Sequence, residues 1–182
     1  MLTGKKIGLR KIEKADLDSL KEWRNKEGYR KHFREYRELS SDDQQKWYDR
    51  FVMNDPGTLM FGIIDLQTKE LVGACGLCYI NWVQRNADLS LYIGKNDIYI
   101  DTEKGGYAWD SMEVLFRYAF EELNLHKIWT EIYVIDERKK KLFDSFGMNQ
   151  DAILRDNYFY KGKFINSYIY TMLQDEFLCK FK

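Results

Sequence analysis

Apolar and other residues alternate over Ile7-Gly8-Leu9-Arg10-Lys11-Ile12, the two-residue period of a half-buried strand. The period then lengthens. Leu17, Leu20 and Trp23 fall along one side of a helix predicted over 15–25. Ser41-Asp42-Asp43-Gln44 has the spacing of a capping box and opens a second helix carrying Trp47 and Phe51. Asn54-Asp55-Pro56-Gly57 ends it with a strong turn signal. Residues 59–66, 71–83 and 87–93 read as three strands of an antiparallel meander. Ala108, Met112, Leu115, Phe116, Ala119, Phe120 and Leu123 recur at steps of three and four, which predicts an amphipathic helix. A strand follows over 128–134. Asp136 is placed to cap a short helix with Leu142 and Phe146, ending at Gly147. Two strands, 152–160 and 164–173, close the pattern.

The chain has 182 residues, enough to bury a core without a disulfide or metal staple. It holds one proline, Pro56, and no linker-like stretch, so one domain over 1–182 is expected. Lys plus Arg and Asp plus Glu each total 29, which argues against a general nucleic-acid partner. No apolar run nears the ~18 residues of a membrane helix, and Met1 to Lys6 lacks a leader's apolar stretch. No membrane partner and a cytoplasmic location are expected. Cys75 and Cys78 are three apart on a predicted strand and so face opposite sides, which favours structural cysteines and no metal.

Four stretches, in order and spacing, resemble the GNAT acetyltransferases. They are Ala87 to Gly94 (ADLSLYIG), Lys104-Gly105-Gly106-Tyr107-Ala108, Tyr118 to Ile128 (YAFEELNLHKI) and Leu142 to Met148 (LFDSFGM). The resemblance is closest to the branch with ribosomal-protein (RimJ/RimL type), polyamine and amino-sugar N-acetyltransferases. It implies an α+β GNAT fold, with a twisted, mostly antiparallel sheet of about seven strands and about four helices. It also implies acetyl-CoA as co-substrate, at the splay between the fourth and fifth strands.

In that frame Lys104, Gly105, Gly106, Tyr107, Ala108 and Trp109 form the phosphate loop, where a helix N-terminus favours an anion. Glu103 stands where relatives carry Gln or Arg. Leu91, Tyr92 and Ile93 would pair with pantetheine, and an N–H near Tyr92 would stabilise the oxyanion. Asp136 replaces a CoA-binding Asn, and when ionised its side chain cannot donate a hydrogen bond. Phe143 replaces a Tyr whose hydroxyl protonates the departing thiolate. Either the thiolate leaves unassisted, or Tyr92 or Tyr133 serves instead, or the protein binds CoA with little turnover.

Transfer to an amine needs a base, because most amines are protonated at neutral pH. Asp88 alternates with Ser90 and Tyr92 onto one strand face and is the first candidate; the alternative is a strand acid paired with Arg85 or a lysine. Glu131 is the second. Arg24, Lys26, Arg30, Lys31, Arg34 and Arg37 outnumber Glu27 and Glu35 and are interleaved with Tyr29, Phe33 and Tyr36. Such a stretch suits an anionic, ring-bearing acceptor bound by Arg24, Arg30 and Arg34, unless it is a solvated loop. His32 lies within it as a further base or a surface residue. Trp82 either rims the site or packs beneath the first helix. Arg138-Lys139-Lys140-Lys141 reads as an exposed helix face, or as an attractor of the adenosine phosphate.

The expected reaction is direct attack by a small primary amine in a ternary complex, the acceptor being an amino sugar or its nucleotide conjugate. Alternatives are a protein N-terminal acetyltransferase and a non-catalytic acyl-CoA-binding module. A homodimer is compatible with all three.

Overall fold

A computed structural model describes residues 1–181. The strands are β1 (Leu2–Thr3), β2 (Ile7–Lys11), β3 (Leu59–Asp65), β4 (Leu71–Asn81), β5 (Asn86–Ile93), β6 (Lys127–Tyr133), β7 (Asn149–Tyr160) and β8 (Lys163–Leu173). They form one sheet in the order β1-β2-β3-β4-β5-β6-β8-β7. Every pairing is antiparallel except β5 with β6. The α-helices are α1 (Leu17–Asn25), α2 (Glu27–Arg30), α3 (Ser41–Trp47), α4 (Tyr107–Arg117), α5 (Glu137–Phe146) and α6 (Gln174–Lys180). This is the GNAT fold that the sequence resemblance implies, with an extra strand, β1, and two extra helices, α2 and α6. Those three elements are too short for a period to show. No helix among the described residues is long and apolar enough to cross a membrane.

Local chemistry explains the element ends. Ser40, one residue before the predicted cap, closes the box at α3: its hydroxyl accepts from the Asp43 N–H and the Asp43 carboxylate accepts from the Ser40 N–H. Asp136 caps α5 through the Lys139 N–H, and Gly147 ends it in the left-handed region at φ 94°. The predicted long helix after Gly106 is α4 plus a π-helical turn, Tyr118–Glu122.

Much of the aromatic content is core. Trp109, Phe116, Phe146, Phe177 and Phe181 stack in one cluster formed by α4, α5, α6 and the residue after it, with Trp109 and Phe146 centroids 4.9 Å apart. Burying one such ring is worth roughly 2–3 kcal/mol by area.

The feature that positions the site is the single parallel pairing. β5 and β6 are in register for three pairs, Asn86↔Lys127 to Asp88↔Trp129. Beyond them β6 continues against β8 to Tyr133↔Ser167. Residues 89–93 of β5 are left facing a split.

One contact ties α4 to β3. The Tyr107 hydroxyl donates to Asp65 Oδ2 at 2.6 Å, and the Gln67 and Thr68 N–H groups donate to Oδ1. The tyrosine bond is the main cause holding the Asp65 carboxyl down at about 2. A carboxyl depressed on folding stabilises above its unfolded value, and that gain is lost as pH falls through its folded one. Tyr107→Phe is therefore expected to lower stability at neutral pH, with the gap to wild type closing as pH falls towards 2. Urea unfolding at a series of pH values checks this; a gap independent of pH contradicts it.

Candidate active site

A cavity of about 410 Å³ opens beside the split. β5 supplies residues 88–92 to its wall, with Asp88, Ser90 and Tyr92 on one strand face. Across the split lies Glu131 on β6. Lys139 enters from α5 and Arg34 from the loop after α2.

Asp88 is 4% exposed. Arg34 Nη1 donates to its Oδ2 at 2.6 Å, while Oδ1 has no partner. Burial raises the Asp88 pKa and the Arg34 guanidinium opposes that rise. Arg34 Nη2 also lies 3.7 Å from Glu131 Oε2. Glu131 Oε1 accepts from Ser167 Oγ and Asn157 Nδ2, each at 2.6 Å. Glu131 is thus anchored to the sheet, whereas Asp88 has an oxygen to spare.

Among the described residues, four buried side-chain polar atoms lack a partner: His32 Nδ1, Gln44 Nε2 and Oε1, and Asp88 Oδ1. All three residues line this cavity. Buried polar atoms are normally satisfied, so their convergence marks a place for a polar ligand.

The start of α4 is a second binding feature. Gly105 holds φ 81°, open to glycine at little cost. The Tyr107 and Ala108 N–H groups donate to the Asp101 carboxylate at 2.6 and 2.8 Å. An internal anion stands where a helix N-terminus favours one, so the loop fits a phosphate.

A family profile described as an acetyltransferase (GNAT) domain matches residues 6–149. The chain belongs to the GNAT acetyltransferase family. It is 24% identical over 172 residues to the spermidine N(1)-acetyltransferase of Vibrio cholerae, covering 94% of this chain and 95% of that one. It is 28% identical over 117 residues to an uncharacterized N-acetyltransferase, p20, of Bacillus licheniformis. That second match spans 64% of this chain and 63% of p20, under two thirds of its length. A crystal structure of the Vibrio cholerae spermidine N-acetyltransferase with CoA and spermine superposes with a TM-score of 0.84 at 25% identity, covering 95% of this chain and 98% of that one.

Within this GNAT frame several expected site residues have other partners, and Trp82 and Arg30 lie outside the cavity lining. Trp82 is 49% exposed and donates to the Pro56 carbonyl at the far end of β4, outside the cavity lining. Arg30 pairs with Glu38 at 4.0 Å, outside that lining too. Trp109 is core, although Lys104 lies over its ring. Phe143 is buried against Tyr170 and packs rather than reacts. Tyr133 stacks on Tyr158 at 3.7 Å. Asp136 is buried, with its carboxylate taken by the α5 cap and the Tyr99 hydroxyl. Tyr92 pairs with Ala74 of β4, and the Gly94 N–H likewise points to β4. Alternation therefore turns the Leu91 N–H, not that of Tyr92, to the split. Arg24 reaches the cavity, its guanidinium over the Phe33 ring.

Lys139 is the residue the charge run concealed. The run of four cations predicts an exposed face, yet Lys139 is 9% exposed. Burial lowers its pKa, against the pull of Asp136 and Asp88. The usable signal was its spacing: 139, 142, 143 and 146 share one helical face with Leu142, Phe143 and Phe146.

Arg34→Gln removes the cation that restrains Asp88, so the Asp88 pKa is expected to rise further. Carboxyl-carbon NMR titration of wild type and variant checks this; an unchanged or lowered midpoint contradicts it.

Proposed function

We propose that this chain is an acetyl-CoA-dependent N-acetyltransferase acting on a primary amine of a small, cationic acceptor. The observation that carries the reading is Asp88: a buried carboxylate on a residue lining the cavity, at the point where β5 and β6 part, with one oxygen unpartnered. Support for the co-substrate comes from the α4 loop, which holds a carboxylate on two backbone N–H groups, and from the solved relative with bound CoA.

Acetyl-CoA supplies a thioester acyl group. Asp88 takes a proton from the acceptor ammonium, directly or through water, leaving a neutral nucleophile. The ammonium replaces the Arg34 guanidinium, which already marks the cation position beside Asp88 and Glu131. The Leu91 N–H, on the open edge of β5, steadies the developing oxyanion. Lys139 lies one turn before Phe143 on the same face of α5 and gives the thiolate the proton that Phe143 cannot, regaining one as the new amide nitrogen sheds its second proton.

A polyamine is the favoured acceptor. Relatives matched over nearly the whole chain act on spermidine or hold spermine. The expected nucleotide-linked acceptor loses its basis in charge, because four of the six basic residues in the first loop are paired. Lys26 pairs with Asp97, Arg30 with Glu38, Arg34 with Asp88 and Glu131, and Arg37 with Glu35. A second reading is an uncharged-ring amino sugar. It is favoured by Gln44, whose free amide donor and acceptor suit a hydroxyl.

Labelled acetyl-CoA with spermidine, glucosamine and a peptide N-terminus tests the acceptor. The highest kcat/KM is expected on spermidine; glucosamine in first place selects the second reading, and no transfer to any amine overturns the proposal. Asp88→Asn is expected to lower kcat by about 10²- to 10⁴-fold with CoA binding retained. Steady-state kinetics beside calorimetry check it.

A further inference from the structure

We propose that residues 94–101 are a strap that fills the CoA groove and must leave before the co-substrate binds. The inference rests on the reading that CoA runs from the α4 loop along the open edge of β5.

The strap starts at Gly94, packed so closely on the Trp23 ring that a Cβ there would collide. It turns back to lay Tyr99 against β5. The Ile93 N–H donates to the Tyr99 carbonyl at 2.7 Å. The Tyr29 hydroxyl donates to the Ile93 carbonyl at 2.7 Å and accepts the Tyr99 N–H at 2.8 Å. Both backbone groups that Ile93 shows to the split are therefore taken. The Tyr99 side chain goes further in. Its hydroxyl donates to Asp136 Oδ2 at 2.5 Å and its ring stacks on His32 with centroids 4.6 Å apart. Arg138 of α5 donates to the Ile98 and Ile100 carbonyls. At the far end, Asp101 holds the Tyr107 and Ala108 N–H groups.

One short segment thus satisfies a group of each class that CoA would use: the Ile93 amide on the strand edge and the N–H groups at the α4 N-terminus. It does so against backbone preference. Tyr99 holds φ 61°, a left-handed region that bulky residues seldom occupy, while Asn96 and Asp97 at 53° and 57° are residue types that tolerate it. CoA brings a pyrophosphate to compete with the Asp101 carboxylate and amides to compete with Tyr99. The strap makes the groove available only in its open fraction, and apparent affinity falls by that fraction.

Calorimetry with CoA on the full chain tests this in wild type, Asp101→Asn and Tyr99→Ala. Asp101→Asn keeps the side chain's shape and removes the competing charge. Each variant is expected to bind CoA about tenfold more tightly. Amide exchange on wild type gives a second readout: protection of the Tyr99 N–H should fall on CoA addition. If near-UV dichroism shows that Tyr99→Ala does not fold, Tyr99→Phe replaces it, deleting only the bond to Asp136. CoA binding to Asp101→Asn no tighter than to wild type, or a Tyr99 amide that stays protected, overturns the strap. Neither result touches acetyl transfer, whose absence would overturn the function while leaving strap release intact. CoA binding to none of the proteins overturns both.

Discussion

The structure turns on a parallel contact that lasts only three residue pairs. After Asp88 and Trp129 the two strands part, and β5 keeps a row of backbone groups with no neighbouring strand. Buried peptide groups need partners, so the split has to be filled from elsewhere. Thr130 Oγ1 donates to the Leu89 carbonyl at its mouth. Tyr29 and the Tyr99 backbone take Ile93 at its far end. What makes the opening costly to leave empty is also what suits it to bind a ligand. Its lining offers hydrogen bonds in a defined row, and whatever can match that row competes for it.

The same opening governs the charges. Asp88 is the last residue of β5 paired with β6, so its side chain stands where the split begins, at the cavity wall. A buried charge is tolerated only with a partner. Arg34 is that partner, and it serves Glu131 as well. The basic stretch that looks like an anion-binding patch in one dimension supplies counter-charges for Asp88 of β5, Glu131 of β6 and Asp97, and for its own Glu35 and Glu38. Lys139 answers the same need from the other side of the split, facing Asp88 and Asp136. Arg24, Arg34 and Lys139 stand against Glu35, Asp88 and Glu131 in the cavity lining, which leaves little net charge there.

Which parts were legible follows from the range of the interactions involved. The α4 periodicity, the β5 alternation, the Asp136 cap and the Gly147 stop are local, and each was readable within a few residues. So were the three residues, Asp88, Ser90 and Tyr92, that share the cavity face. Arg24 and Arg34 reached the site that the charge run suggested. Arg30 and Trp82 did not, because the direction of a loop residue depends on what the loop packs against. Lys139 went unread because four consecutive cations look solvated, whereas its helical face is that of Leu142, Phe143 and Phe146. Trp109 follows the phosphate-loop glycines in sequence but points into the cluster with Phe146.

Local pattern alone reaches the order of the longer elements, the Asp136 cap and Gly147 stop, the strand face shared by Asp88, Ser90 and Tyr92, and the glycines before α4. These depend on backbone propensity and hydrophobic period, which act over a turn or two. Only the tertiary structure decided which charges neutralise one another, that Lys139 is buried, that the Leu91 N–H faces the split, and that residues 94–101 fold back into it. Those outcomes require groups far apart in the chain to compete for the same unpaired backbone and buried charge, and a local pattern carries no record of that competition.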